Sequence, residues 1–457
     1  MRNRAGGSVE ETADRTVCVL GLGYVGLTLA VAMADAGFRV LGVEIRENIL
    51  ERLDRGEATI HEPGLAEKMN SAAARGDLRF AKCIPEGWKG TVFIITVGTP
   101  LDDARRSRSD MVERVSREVA SRLKPNDLVI MRSTVKLGTT RNTVVPILED
   151  ARVPYHLAFC PERTLEGNAL AELRRLPQIV GAIDAQAAAR AALLFQSLTP
   201  TVVRVSDVET AEMIKLVDNA QRDVAFAYAN EVARGCDAMG ISAIEVIEAG
   251  KLGYPRTNLP KPGPVGGPCL EKDSYILAEG LREAGVEPEI TMTARALNER
   301  QPREVVQYIA KVLRDKRWNA PRTIAVLGVA FKGEPETDDL RGTMAVPILN
   351  ELRACFPAAL YRAFDATVKP DRIRELGLIP CATIDEAMFG ADLVVIANNH
   401  PIFAAMPVAD LAGRMSRPGL IYDFWNTFRA ADLHLPEGVG FMALGSHGRA
   451  VLPGEHS

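Results

Sequence analysis

One cysteine lies in a stretch whose residue types suit covalent chemistry. Three glycines and three prolines precede Cys269 within residues 262–268. Glycine lets the backbone approach a ligand closely, and proline stiffens the loop around it. Residues from Ser274 onward predict a helix, and the positive end of a helix dipole favours a thiolate. Asp273 lies one turn beyond the cysteine if the helix has begun there. The stretch predicts a nucleophilic cysteine with a polar neighbour, with a buried cysteine in a tight turn as the alternative.

A glycine-rich turn near the N-terminus predicts dinucleotide binding. A β-rich run leads into this turn and a helical run follows it; the turn itself reads Gly21-Leu22-Gly23-Tyr24-Val25-Gly26. Glycines at this spacing make the turn, admit a pyrophosphate and allow close helix packing. The next predicted strand ends at Glu44, whose carboxylate can bind ribose hydroxyls and repels a 2′-phosphate. We therefore expect NAD as the cofactor, and the nearby Arg46 leaves NADP as a minor alternative.

Polar residues follow three further predicted strands. Thr99, Thr134 and Glu162 each come soon after a short apolar run, and Glu166 shares the loop of Glu162. In open parallel sheets, ligands bind beyond the carboxyl ends of the strands. The two threonines are therefore placed where cofactor and substrate could meet, and the alternative is that their hydroxyls only cap loops.

Two long helices are predicted in the middle of the chain. The first runs from about residue 207 to 239 and carries Lys215 and Asn219, which are four residues apart and share one face. The alternative for this pair is a solvated lysine and an incidental asparagine. The second runs from Ile290 to about Arg314, with Pro302 as a break or a new start.

The α/β pattern resumes after residue 316. Predicted strands begin at Thr323, Asp392 and Leu420, and residues 341–352 predict a helix. This part forms a second Rossmann-like unit without a full glycine fingerprint. It could bind a different nucleotide or serve only for packing and oligomerisation.

Composition limits the classes of partner. The net charge of −4 gives no electrostatic reason to expect nucleic acid or an anionic membrane. The seven cysteines are dispersed, so no metal site is predicted and a reducing, cytoplasmic compartment is expected. Residues 16–34 are uncharged and long enough to span a bilayer, but their ordered glycines indicate strand, turn and helix.

The predicted fold is α/β, with two Rossmann-like domains joined by a central all-helical domain. We expect a disordered tail over residues 1–15, an NAD-binding domain over 16–206 and a helical domain over 207–315. The helical domain contains the stretch 262–269, which we call the cysteine loop. The second Rossmann-like domain occupies 316–457. The central helices are longer than one small domain needs, which favours a role in dimerisation.

Together these motifs resemble the nucleotide-sugar 6-dehydrogenases, the UDP-glucose/GDP-mannose dehydrogenase family. The resemblance covers about residues 16–450, and it rests on Gly21 to Gly26, Glu62-Pro63-Gly64-Leu65, Ser133-Thr134-Val135, Cys160-Pro161-Glu162-Arg163, Lys215 with Asn219, Gly266-Gly267-Pro268-Cys269 with Asp273, and Ala330-Phe331-Lys332-Gly333. It implies NAD-dependent, four-electron oxidation of a sugar C6 alcohol to a carboxylate. A cysteine thiolate captures the aldehyde as a thiohemiacetal, which is oxidised to a thioester and hydrolysed.

The resemblance also implies roles for single residues. Cys269 is the nucleophile, Lys215 and Asn219 stabilise oxyanions, Asp273 and Thr134 hold a water, and Glu162 helps to activate water for thioester hydrolysis. The nucleotide sugar is expected to contact Glu162, Arg163, Lys215, Asn219, Gly266, Gly267, Lys332 and Arg341. The cofactor is expected to contact Gly21, Gly23, Tyr24, Val25, Gly26, Glu44, Thr99, Thr134 and Glu166. Relatives are homodimers or larger, and this assembly is expected here.

This chain departs from the family pattern at two places near the site. Trp425 stands where many relatives have an arginine, and Pro268 precedes the cysteine where histidine or serine is commoner. The 160–163 and 176–181 segments are similar to the UDP-N-acetylhexosamine branch (mannosamine or glucosamine), whereas Lys272-Asp273 is similar to the UDP-glucose branch. We expect a UDP-N-acetylhexosamine, then UDP-glucose, then GDP-mannose.

Two functions from other classes stay open at this point. A two-electron dehydrogenase of the 3-hydroxyacid type has a Rossmann domain and a Lys-x-x-x-Asn helix, but it needs neither Cys269 nor a second α/β domain. A non-catalytic nucleotide sensor would keep the fold and lose turnover, and Trp425 is the one feature that favours it.

Overall fold

The computed structural model describes residues 13–453. Two compact units are present. The N-terminal unit runs to Asp218 and includes Tyr275–Glu287, and the C-terminal unit comprises Asn219–Ser274 and the chain from Pro288 onward. The three domain boundaries expected from the sequence stay a prediction. Of the predicted disordered tail, residues 1–12 lie outside the described part, and Ala13–Arg15 form a 3-10 turn.

The N-terminal unit is built on one eight-stranded sheet. Its strands are β1 (Thr16–Leu20), β2 (Arg39–Val43), β3 (Leu78–Ala81), β4 (Val92–Ile95), β5 (Asp127–Met131), β6 (Tyr155–Phe159), β7 (Gln178–Ala182) and β8 (Val202–Arg204). Their order is β3-β2-β1-β4-β5-β6-β7-β8, and only the β6–β7 pair is antiparallel. The strand order reverses between β1 and β4, which opens a crevice at their carboxyl ends.

Helices cover this sheet because its central strands are apolar on both faces. They are α1 (Tyr24–Asp35), α2 (Glu47–Asp54), α3 (Leu65–Arg75), α4 (Asp110–Ala120), α5 (Val145–Glu149), α6 (Ala169–Arg175) and α7 (Ala185–Gln196), with a π-helical turn at Thr140–Val144. The uncharged stretch from residue 16 to 34 forms β1, the glycine turn and most of α1. Within residues 13–453, no helix is both long and apolar enough to cross a membrane.

Four helices follow the first sheet. They are α8 (Val208–Met239), α9 (Ala243–Lys251), α10 (Leu270–Glu283) and α11 (Glu289–Asp315). α8 matches the long helix predicted from the sequence. α10 begins four residues earlier than the predicted start at Ser274, immediately after Cys269. α11 runs through Pro302 without a break, so the suggested break at this proline is wrong.

A second, fully parallel sheet forms the core of the C-terminal unit. Its strands are β9 (Thr323–Leu327), β10 (Leu360–Phe364), β11 (Ile379–Pro380), β12 (Leu393–Ile396), β13 (Gly419–Asp423) and β14 (Val439–Ala443), and its helices are α12 (Ala345–Cys355), α13 (Pro370–Glu375), α14 (Ile384–Met388), α15 (Pro401–Ala404) and α16 (Val408–Ala412). The order β11-β10-β9-β12-β13-β14 has the same central reversal as the first sheet. The predicted fold class is confirmed, although the helix expected from residue 341 begins at Ala345.

A chain of hydrogen bonds from half-buried Asp237 through half-buried His447 to buried Tyr422 connects the end of the described chain to α8. His447 places Nδ1 3.1 Å from Asp237 Oδ2 and Nε2 2.9 Å from the Tyr422 hydroxyl, while the Tyr308 ring stacks on it at 4.1 Å. Burial lowers the pKa of His447 to about 4. The imidazole is therefore neutral at pH 7, so that Nδ1–H donates to the carboxylate and Nε2 accepts the phenol proton.

We predict that in His447→Gln the free energy of unfolding depends less on pH below neutrality. Because the folded pKa of His447 is lowered to about 4, its contribution to stability is present above the ordinary value of 6.5 and is lost as pH falls through 4. The unfolding midpoint in urea should therefore fall further between neutral pH and about pH 4 in the wild type than in the variant. At neutral pH the variant should be less stable by about 1–3 kcal/mol, because the buried Tyr422 hydroxyl loses its acceptor. Parallel pH curves for the two proteins would contradict this assignment.

Candidate active site

The glycine turn after β1 forms an open cradle in the N-terminal unit. Gly21 has a φ of +94°, and a Cβ at Gly26 would lie 1.8 Å from the Gly21 carbonyl oxygen. A Cβ at Gly23 would meet no atom within 4 Å. Gly23 also caps α1 without a side-chain acceptor for the first amides of the helix. The middle glycine thus leaves space and backbone donors for a pyrophosphate, and the outer two shape the turn.

Glu44 closes the ribose side of this cradle. Its carboxylate accepts the Leu22 amide at 3.2 Å, and Arg46 donates to it through its backbone amide and guanidinium at 2.9–3.0 Å. Burial raises the pKa of Glu44, but the hydrogen bonds from Arg46 outweigh it and leave the pKa below its ordinary value. An ionised carboxylate at this position can accept hydrogen bonds from two ribose hydroxyls, so the residues present fit NAD.

A buried tyrosine–glutamate pair connects the glycine turn to the segment around Gly167. The Tyr24 hydroxyl donates to Glu62, which also accepts the amides of Gly167 at 3.0 Å and Leu170 at 3.1 Å. Burial, followed by the hydrogen bond to Glu62, raises the pKa of Tyr24. Glu62 was recognised only as part of a family motif, and its link to Tyr24 across 38 residues has no local sequence signal. Glu166 lies half-buried in the loop that contains Gly167.

The two threonines predicted at the strand ends lie together. The Thr99 hydroxyl donates to the Thr134 carbonyl oxygen, which joins the loop after β4 to the loop after β5. Thr99 is buried and Thr134 is half-buried. The hydroxyl of Thr99 is therefore used within the protein, which supports a positioning role, and the expected contacts of both residues with cofactor and water stay predictions.

Glu162 is held as a carboxylate by a buried arginine. Arg132 donates to Glu162 Oε2 at 2.6 Å, and the amides of Arg163 and Thr164 donate to Oε1 at 2.7 and 2.8 Å. Burial raises the pKa of Glu162, but the charge of Arg132, with smaller contributions that include Lys215, lowers it below its ordinary value. Arg132 itself is fixed by the Cys160 carbonyl at 2.9 Å. The sequence interpretation missed Arg132, although it directly precedes the Ser133-Thr134 motif.

Lys215 and Arg163 are the two remaining predicted substrate-contacting residues of the N-terminal unit. Lys215 is buried, with 8% of its surface exposed, so it is not the solvated lysine of the alternative interpretation. Arg163 pairs with Asp218 at 3.2 Å. The described part of the chain contains no group of His, Cys, Asp or Glu side chains that could hold a metal ion.

Cys269 lies in the C-terminal unit at the residue that precedes α10. Its carbonyl oxygen accepts the amide of Asp273 at 2.9 Å, which starts the helix, and its side chain is exposed. By contrast, Cys18, Cys160, Cys236 and Cys381 are buried, and burial raises the pKa of Cys160 to about 12. An exposed thiol at a helix N-terminus is the setting in which a cysteine ionises most readily.

Asp273 and Asn219 lie beside this cysteine in the same unit. Asn219 Nδ2 donates to Asp273 Oδ2 at 2.6 Å, and Lys272 Nζ donates to Oδ1 at 2.8 Å. Both Asp273 and Asn219 are buried. Asn219 is thus not incidental, and the structure brings together the predicted asparagine, aspartate and cysteine.

The glycines before Cys269 pack against the loop that follows β9. The Gly267 amide donates to the Gly342 carbonyl at 2.7 Å, and a Cβ on Gly267 would lie 2.5 Å from the Phe331 ring. Lys332 Nζ lies 5.4 Å from the centre of that ring, and Arg341 is exposed and pairs with Asp339. The glycines are therefore required for packing within the chain, while the expected sugar contacts of Gly266, Gly267, Lys332 and Arg341 stay predictions.

Trp425 makes a contact that arginine could not. A Cβ on Gly263 would lie 2.8 Å from its indole ring, and Nε1 donates to the Ala397 carbonyl at 3.0 Å. The indole thus links the loop after β13 to the start of the cysteine loop and to the end of β12. Pro268 is half-buried, and nothing in the structure explains why proline occupies this position.

Known proteins have domains similar to those of this chain. The chain matches the sequence models of three domains of the UDP-glucose/GDP-mannose dehydrogenase family: the NAD binding domain over residues 15–199, the central domain over 209–300 and the UDP binding domain over 325–430.

Individual relatives are similar over nearly their whole length. A UDP-N-acetyl-D-mannosamine dehydrogenase of Methanocaldococcus jannaschii is 31% identical over 88% of this chain and 90% of its own. The structure of a UDP-D-ManNAc dehydrogenase from Pyrococcus horikoshii has a TM-score of 0.84 at 31% identity, covering 95% of this chain and 100% of the other. A UDP-glucose dehydrogenase from Pyrobaculum islandicum also has a TM-score of 0.84, at 26% identity, with 96% and 100% covered.

We predict that alanine at two glycines of the cradle changes different properties: NAD affinity at Gly23 and folding stability at Gly26. Gly23→Ala should leave the melting temperature unchanged and raise the NAD dissociation constant at least about tenfold, because the methyl group enters space that the pyrophosphate needs. Gly26→Ala should destabilise the fold by about 1–3 kcal/mol through its clash with the Gly21 carbonyl. Calorimetric titration with NAD and thermal melting measure the two effects.

Gly235→Ala serves as the matched control. Gly235 lies within α8, and a Cβ there would meet no atom within 4 Å. This variant should bind NAD like the wild type and gain about 0.5–1 kcal/mol of stability from its higher helix propensity. Unchanged NAD affinity in Gly23→Ala would contradict the placement of the pyrophosphate.

Proposed function

Because the chain belongs to the UDP-glucose/GDP-mannose dehydrogenase family, we propose that it oxidises the C6 alcohol of UDP-N-acetyl-D-mannosamine to the uronic acid with NAD. NAD-dependent nucleotide-sugar dehydrogenase activity follows from the family. The sugar and the covalent course of the reaction are the proposal. One observation carries the covalent course: Cys269 is exposed at the start of α10, and the buried Asn219–Asp273 hydrogen bond lies one turn away.

The chain's own residues would handle the protons and the covalent bond. When bound, NAD supplies a hydride acceptor, one hydride per molecule: the first hydride would leave the C6 alcohol and give the aldehyde, and the second, taken up by a second NAD, would leave the cysteine adduct and give the thioester. Asp273, whose two carboxyl oxygens accept hydrogen bonds from Asn219 and Lys272, would orient the water that receives the alcohol proton. The Cys269 thiolate would then add to the C6 aldehyde, which turns the carbonyl oxygen into an alkoxide. Asn219 and Lys215 are the donor and the cation that would stabilise this charge.

Hydrolysis of the thioester would complete the reaction. Water adds to C6, the C6–sulfur bond breaks, and Cys269 leaves as the thiolate while the sugar becomes a carboxylate. Glu162 is suited to orient this water rather than to remove its proton completely, because the charge of Arg132 and two backbone amides keep the pKa of Glu162 low despite burial.

UDP-N-acetyl-D-mannosamine is proposed because relatives with about 30% identity over most of the chain bear that name. UDP-N-acetylglucosamine and UDP-glucose are the alternatives, and a UDP-glucose dehydrogenase shares the fold equally well. The second parallel sheet, whose strand order reverses between β9 and β12, is the proposed site for the UDP moiety.

A homodimer or larger homo-oligomer is part of the proposal. Large apolar side chains are exposed along and after α8 in the C-terminal unit, including Tyr228 at 59%, Met239 at 67% and Leu252 at 85%. If these side chains form one surface, a second copy of the chain would cover it, which is why the assembly is proposed here.

We predict that one nucleotide sugar yields two molecules of NADH and that Cys269→Ser abolishes the second oxidation. Serine lacks a nucleophile that ionises near neutral pH, so turnover to the acid should fall by at least about a thousandfold. NADH absorbance against sugar consumed, with mass spectrometry of the product, measures both quantities. Cys83→Ser, at another exposed cysteine, should be fully active. One NADH per sugar together with an active Cys269→Ser enzyme would contradict the covalent course.

A substrate panel tests the choice of sugar. UDP-N-acetylmannosamine should give a kcat/KM at least about tenfold above UDP-N-acetylglucosamine, UDP-glucose and GDP-mannose, because a specific sugar pocket discriminates by a few kcal/mol. A higher value for another nucleotide sugar would reassign the substrate and leave the reaction type unchanged.

A further inference from the structure

We propose that Arg295 is a positioning residue for Cys269, because its guanidinium holds the backbone on both sides of the cysteine in place. The inference rests on the proposed function, in which Cys269 is the nucleophile. Arg295 lies on α11, 26 residues after Cys269 in sequence. Its side chain is 2% exposed.

Arg295 binds one carbonyl oxygen of the cysteine loop and one directly after it. Nη1 donates to Leu270 at 2.9 Å, and Nη2 donates to Val265 at 3.3 Å. Leu270 is the first residue of α10 and is bonded directly to Cys269. The two contacts therefore fix the loop on either side of Gly266, Gly267 and Pro268.

Asp223 on α8 fixes the arginine in turn. Its Oδ1 lies 3.0 Å from Arg295 Nη1 and 2.8 Å from Asn298 Nδ2, and its Oδ2 accepts the Ser274 hydroxyl at 3.1 Å. All four side chains are at most 2% exposed. Ser274 lies on α10, so the same carboxylate holds both the arginine and the first turns of the helix that starts at the nucleophile.

A third contact anchors the beginning of the loop. Asn230, also on α8, donates to the Gly263 carbonyl at 3.1 Å and accepts the Gly263 amide at 2.9 Å. Asn219, Asp223 and Asn230 all lie on α8: the first two bind Asp273 and Ser274 in the first turns of α10, and the third binds Gly263 in the loop. Gly342 holds the loop at Gly267, and Arg295 binds the carbonyls of Val265 and Leu270 on either side of it, so removal of the guanidinium should disturb the residues closest to Cys269.

Lysine cannot replace the guanidinium here. Two carbonyls and one carboxylate are held by a planar fork of donors, whereas an ammonium is a point charge on a flexible stem. Arg295→Lys keeps the charge and loses this geometry. The α10 N-terminus should then move relative to the thiol, which reduces the fraction of reactive thiolate at Cys269.

The test is the alkylation rate of Cys269 in the full-length enzyme. Iodoacetamide labelling is followed by peptide-resolved mass spectrometry, with the exposed Cys83 as an internal reference in the same sample. In Arg295→Lys the Cys269/Cys83 rate ratio should fall about tenfold, and kcat should fall by a similar factor with the KM for the nucleotide sugar unchanged. Arg300→Lys is the matched control, because Arg300 lies on the same helix and is exposed in a pair with Glu304.

A second variant separates positioning from stability. Asp223→Leu with Arg295→Met replaces the buried pair by apolar side chains, which removes both charges together and leaves no unpaired buried ion. It should melt below the wild-type temperature, because Ser274, Asn298 and the carbonyls of Leu270 and Val265 lose their partners, and when it is labelled well below that melting temperature it should still show the lower rate ratio.

A folded Arg295→Lys or double variant with an unchanged or higher ratio would overturn the proposal, even if kcat falls. Failure of the proposed function would look different, because Cys269→Ser would then retain turnover while the rate ratios of the arginine variants fall as expected.

Discussion

A loop of glycines and prolines cannot hold itself in place, since it forms no regular hydrogen-bonded structure of its own. Around Cys269 this task falls to the buried ion pair between Asp223 and Arg295. Each charge is costly to bury without the other, so the pair tolerates few alternative arrangements. The two terminal nitrogens of Arg295 donate to the backbone oxygens of Leu270 and Val265. These contacts fix the loop although it has no regular secondary structure. The N-terminus of α10, which begins immediately after Cys269, is therefore held next to the thiol.

The two parallel sheets share a strand order but use their central crevices differently. In the first, the middle glycine faces open space, and Glu44 accepts an amide of the turn. In the second, Asp365 occupies the matching position after β10 and accepts the amides of Val329 and Ala330. Gly328 follows β9 as Gly21 follows β1, and both have a positive φ. The position that matches the middle glycine is Ala330, so the second turn has a methyl group where the first leaves open space.

Local patterns predicted the parts of the protein that are locally determined. The glycine turn, Glu44 and the long helix α8 each have a signal within a few neighbouring residues, and the structure agrees with them. The start of α10 at Leu270 was missed because Pro268 and the charged residues after Cys269 resemble a loop. Arg132 and Arg295 were missed for another reason. A lone arginine in a sequence is usually solvated, and only the packing of distant segments shows that these two are buried and matched to carbonyls and carboxylates.

Trp425 uses its side chain for packing within the C-terminal unit. An arginine in this turn could extend toward a bound anion, whereas the indole is held at both ends, by its N–H on the Ala397 carbonyl and by its ring on Gly263. Any side chain at residue 263 would collide with that ring. The Asn230 side chain also hydrogen-bonds both the amide and the carbonyl of Gly263. Trp425 on one side and Asn230 of α8 on the other therefore hold Gly263, near the start of the cysteine loop. The turn after β13 thus supports the loop of the proposed nucleophile. Any positive charge that binds a nucleotide sugar must come from other residues.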